Sequence, residues 1–218
     1  MRAPKNAHAR KLVRPRYDCD GNPMTRSNMK ILAPLCLGAI VSLAGTLPAC
    51  AEQFVPVAPF DSVELAGGGH VLLVSGNVQK VRLTHGSLAY TRFVEDGPRK
   101  LRIEACNRDC PPDYDLQVEI TTPQVTGLAI SGGGAIDSDG NFAPVRHLAV
   151  AIDGGGRIDA RALDANTAEA AVNGGGVIRL KADARLTAAV DGGGEIRYWG
   201  NPRVTQAIDG GGQIERGN

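Results

Sequence analysis

Six Gly-Gly-Gly triplets constrain this chain more than any other feature. The first is Gly67-Gly68-Gly69. The others are Gly132-Gly133-Gly134, Gly154-Gly155-Gly156, Gly174-Gly175-Gly176, Gly192-Gly193-Gly194 and Gly210-Gly211-Gly212. From the second onward their starts lie 22, 20, 18 and 18 residues apart, a range in which stacked repeat units are the first hypothesis. Ile130, Ile152, Val172, Val190 and Ile208 stand two residues before these five triplets, and Ile136, Ile158, Ile178, Ile196 and Ile214 stand two after. All ten are β-branched, which suits strands better than helices. All ten also share one parity with Leu128, Val150, Leu180, Leu186, Tyr198 and Val204. Alternation of this kind places these side chains on one inner face.

A strand unit of this length cannot bury its apolar face alone, so each copy must stack on the next. The expected fold is therefore all-β: a single-stranded right-handed parallel β-helix, or solenoid, with rungs of about 18–22 residues. A leucine-rich horseshoe lacks its Leu and Asn pattern here. An antiparallel barrel stays open, although repeats of constant phase without hairpin turns favour a coil. The triplets are expected to be structural, because glycine permits positive φ and close backbone approach at a sharp bend. The alternative is an anion-binding loop, which would need a following helix, usually opened by Lys-Ser or Lys-Thr.

The first fifty residues read as targeting. Residues 1–28 hold seven Arg or Lys and three Pro without apolar periodicity, as expected of a disordered basic extension or a start assigned too early. Residues 29–51 read as a signal peptide. Arg26 and Lys30 precede an apolar run, and Ala49-Cys50-Ala51 gives a small-x-small exit. Leu47-Pro48-Ala49-Cys50 also resembles a lipobox, which would make Cys50 a lipidation site. Membrane association is expected only through that signal or that lipid. The remaining domain, 52–218, divides into a capping half at 52–126 and the glycine-triplet rungs at 127–218.

The whole chain has 24 Lys plus Arg against 23 Asp plus Glu. Within 52–218 the counts are 16 and 21, a net charge of −5. No nucleic-acid partner is expected of such a surface. Aromatics make up only 4% of the chain, which argues against a stacking platform. Cys106 and Cys110, in Cys-Asn-Arg-Asp-Cys-Pro-Pro, read as a disulfide in an oxidising compartment. A metal site and a redox pair are the alternatives, but two thiols make a poor zinc set. No cofactor is expected.

The capping half carries strand-like runs in a distinctive order: FDSVELAGGGHVLLVSG, VQKVRLTHG, FVEDGPRKLRIEA and DLQVEITTPQVTGLAISGGGAID. This order, leading into the first repeat, resembles the bacterial head GIN domain family, whose members are described as putative autotransporter adhesin heads. The resemblance covers most of 57–216, with glycine triplets where that family commonly has Gly-Ser-Gly-like turns. It implies an exported right-handed β-helix and supplies no catalytic residues.

Three constellations on the outer parity are candidates for function. Ser131, Asp153, Asn173, Asp191 and Asp209 directly precede the five triplets. Asp191 over Asp209 is a candidate cation pair, set against a turn-capping role for the whole row. Asp137, Asp159, Arg179, Arg197 and Glu215 stand three after the triplets, so that Asp159 should face Arg179 and Arg197 should face Glu215 as exposed ion pairs. Ala129, Ala151, Ala171, Ala189 and Ala207 stand three before, as a flat outward stripe. His70, His85 and His147 are scattered without ligand or triad spacing. The reading is an exported, noncatalytic, adhesin-like module of the cell envelope. Its partner would be an envelope protein, a glycan or a second copy. A polysaccharide-active β-helix enzyme and a purely structural envelope protein are the alternatives.

Overall fold

A computed structural model describes residues 53–218. The basic extension, the signal peptide and Cys50 lie outside the described residues. Fifteen strands follow one another without a helix among them: β1 (Gln53–Val55), β2 (Ser62–Gly67), β3 (His70–Ser75), β4 (Lys80–His85), β5 (Arg92–Glu95), β6 (Lys100–Glu104), β7 (Gln117–Thr122), β8 (Gly127–Gly132), β9 (Ala135–Asp139), β10 (Val145–Gly154), β11 (Arg157–Gly174), β12 (Val177–Gly192), β13 (Glu195–Trp199), β14 (Arg203–Asp209) and β15 (Gln213–Arg216).

Each glycine triplet joins two walls of strands. The first wall runs β6, β2, β8, β10, the C-terminal part of β11, the C-terminal part of β12, then β14, all parallel. The second runs β7, β3, β9, the start of β11, the start of β12, β13 and β15, again parallel. Registers match the repeat. Ile130, Ile152, Val172, Val190 and Ile208 form one column, and Ile136, Ile158, Ile178, Ile196 and Ile214 another. The first four of each column are buried. Each contributes roughly 1.5–3 kcal/mol of transfer free energy before chain entropy is counted.

The change of rung length is absorbed far from the glycines. Ala160 pairs with Leu180, but the next pair is Asp164 with Lys181, so β11 carries three extra residues here; one is given back between Ala165 and Thr167, which leaves the two by which its rung is longer. Leu163 and Ala165 turn inward at this bulge and are buried. The glycine edge therefore keeps strict register while the opposite edge varies.

The capping half departs from a purely parallel coil. β2 and β3 form a rung of their own, with Gly67 in register with Gly132. However, β1 and β4 pair antiparallel, as do β4 with β7 and β5 with β6. The sheet is therefore mixed. The physical reason is clearest at β5 and β6, which only Asp96–Arg99 separates. So short a connection can close a hairpin but cannot make the crossover that parallel neighbours need.

Candidate functional site

The outer face of the first wall carries the principal concavity. Ala129, Ala151, Ala171, Ala189 and Ala207 lie side by side in register. Four spacings of about 4.8 Å make this row about 19 Å long. The stripe expected to be flat is the floor of a groove of about 750 Å³. One-carbon side chains sit lower than their neighbours, and the flank nearest the glycine edge is raised by Ser131, Asp153, Asn173, Asp191 and Asp209. All five flanking residues are exposed.

The groove is closed at one end by charge. Glu64 is in register with Ala129 and is only 8% exposed. Its carboxylate holds Lys100 Nζ at 2.5 Å and accepts a hydrogen bond from Arg102 at 2.6 Å. The bond to Glu64 raises the Lys100 ammonium above its usual range, against the opposing effect of burial. Sequence reading missed this closure. Glu64 and Ala129 become neighbours only through a strand pairing that skips β3 to β7, and no local pattern announces it.

Asp191 and Asp209 are adjacent in register, as expected. Among the described residues no three His, Cys, Asp or Glu side chains gather as a metal site. The two aspartates are one step of the exposed row beside the glycine edge.

The second wall is an ion-pair surface. Arg197 donates to Glu215 across neighbouring rungs at 2.5 Å. Asp159 faces Arg179 at 4.0 Å but is held more closely by Arg161 on its own strand, at 2.7 Å. Burial pushes the Asp159 carboxyl up, yet the hydrogen bonds from Arg161 and the charges of Arg161 and Arg179 outweigh it and hold the group below the usual carboxylate range. Arg161 also lies over the Trp199 ring at 5.1 Å. His70 pairs with Asp137 at 2.9 Å, and Arg157 reaches the same carboxylate. His147 meets Thr167. These histidines remain separate and build no common centre.

Cys106 and Cys110 are joined as a disulfide. The bond closes a small loop beside Pro111 and Pro112, anchored by the Ala105 amide donating to the Ala66 carbonyl. We expect native, unreduced protein to resist thiol labelling at both positions, and reduction to cost roughly 1–3 kcal/mol of stability in the chain-entropy model. Rapid labelling of both cysteines without reductant would contradict the bridge.

The described residues thus form an all-β stack whose first wall carries an alanine-floored groove on its outer face. Residues 142–202 match the family described as "Putative auto-transporter adhesin, head GIN domain". The resemblance read from the sequence thus holds over the central rungs. No curated protein matches the chain. Among solved structures, a putative adhesin from Bacteroides fragilis is 17% identical, with 76% of this chain and 95% of that one covered at a TM-score of 0.48. A putative lipid binding protein from Parabacteroides distasonis is 17% identical over 77% and 96%, at a TM-score of 0.33. A putative cell adhesion protein from Clostridium sporogenes is 12% identical over 76% and 97%, at 0.32.

Proposed function

We propose that this chain is an exported, noncatalytic, adhesin-like module of the cell envelope, a right-handed parallel β-helix whose contact face is the alanine groove. The observation that carries this reading is the groove itself: five alanines in strict register, flanked on one side by an exposed polar row in which three of the five residues are aspartates. Asp153, Asp191 and Asp209 make no ion pair with another described residue, and they form a single file along one flank. No two of them face each other across the floor, as the carboxyl pair of a glycosidase does. The floor carries no aromatic ring for a sugar to stack on. Both features suit an extended polypeptide segment whose small apolar side chains rest on alanine while its cationic groups reach the acidic row. In-register parallel stacking of the rungs supports the β-helix, and the head GIN match supports adhesion.

The test is a fluorescence-anisotropy titration with synthetic six-residue peptides, which span about 20 Å when extended. A peptide alternating Lys and Val should bind at least about tenfold tighter than one alternating Glu and Val, since like charges across a contact cost binding. Ala171→Arg with Ala189→Arg should fold normally and lose that binding. Equal binding of both peptides, or undiminished binding by the double variant, would overturn the proposal.

A further inference from the structure

The stack is finished differently at its two ends. At one, antiparallel strands complete the sheet: β1 and β4 beyond β7, and β5 beyond β6. At the other, β14 pairs only with β12 and β15 only with β13. Among the described residues nothing lies on their outer edges. The interior columns emerge there. Ile208 is 43% exposed, whereas Val190 one rung below is 2% exposed. Val204 and Ile214 are also only partly covered. An uncovered parallel rung presents both apolar side chains and unpaired backbone groups, which native sheets ordinarily protect.

The residues on this edge are complementary to themselves. The interior column Val150, Ala170 and Ala188 changes on the last rung to Gln206. About Gln206 the strand is symmetric in character: Val204 and Ile208 lie two residues away on the inner side, and Arg203 and Asp209 three away on the outer side. Laying β14 antiparallel on β14 of a second copy, with a two-fold axis through Gln206, sets Val204 against Ile208 of the second copy. The same register sets Arg203 against Asp209 at both ends. Gln206 meets its own counterpart at the axis, where each amide can donate to and accept from the other. A shift by one residue would break all three matches and turn the apolar side chains outward.

We infer that the β14 edge is a two-fold interface whose partner is a second copy of this chain. A single polar residue among apolar neighbours fixes register in such contacts, which gives Gln206 its place on the last rung. The axis keeps the outer faces of both first walls on one side of the joined sheet, with Ala207 of each copy opposite Thr205 of the other.

Sedimentation equilibrium of the exported protein tests this. The parent should dimerise. Asp209→Arg and Arg203→Asp should each weaken the dimer at least about tenfold, because each sets like charges together at both ends. The double exchange, Arg203→Asp with Asp209→Arg, should restore affinity to within about threefold. Gln206→Cys should form a disulfide-linked dimer on oxidation, which Thr187→Cys in mid-wall should not. The groove variant Ala171→Arg with Ala189→Arg should still dimerise, so this inference and the peptide-binding reading fail separately. A parent that remains monomeric at about 100 µM, single variants that dimerise like the parent, or a double exchange no tighter than the single variants would overturn it.

Discussion

Replacing Ile196 by Asp is expected to unfold the domain. Ile196 is fully buried, in register with Ile178 on one side and Ile214 on the other. No described group stands ready to pair a carboxylate in that column. A lone buried charge must be neutralised or exposed at heavy cost, and losses of about 4–5 kcal/mol or more are typical of such lesions. Domains of this size are commonly stable by only about 5–15 kcal/mol. Thr187→Lys on the exposed outer face should change stability by about 0.5 kcal/mol or less. Urea denaturation followed by circular dichroism reads both, and equal midpoints for the two variants would contradict the assignment of inner and outer parity.

The second large effect separates glycines that stand next to each other. Gly154 has φ of +126°, and a Cβ placed on it would lie 2.5 Å from the Gly132 carbonyl oxygen of the rung below. Gly156 is equally closed, since its Cβ would lie 2.7 Å from Ile130 Cγ2. Gly155 between them would meet nothing within 4 Å. Gly154→Ala should therefore cost about 2–4 kcal/mol, combining a strained backbone with a forced shift of packed neighbours. Gly155→Ala should be neutral or stabilise by up to about 1 kcal/mol, through a less flexible unfolded chain. Matching thermal midpoints for the two would refute the stacked glycine edge. Nothing in the structure explains why the middle residue of each triplet is glycine.

The rungs were legible because period-two alternation and a fixed corner repeat together. The same logic placed the alanine row outward and put Arg197 opposite Glu215. It did not announce the groove, which depends on Glu64 being placed at the end of the alanine row as well as on the flanking residues. Nor did it reveal the antiparallel pairs in the capping half. There the strand runs lack a repeated corner, and pairing depends on which edge of the stack is free when each strand returns. Glu64 shows the limit most clearly. Its alternating run marks a strand, but only the long return from β2 to β8 brings its carboxylate to the end of the groove.

Amide chemical-shift mapping by NMR, with the peptide alternating Lys and Val added to saturation, locates the contact face. Changes are expected along Ala151, Ala171 and Ala189 and the polar flank at Asp153, Asn173 and Asp191, with the ion-pair surface of Arg179 and Arg197 left unmoved. Changes centred on that second wall, or spread evenly over the domain, would contradict that placement.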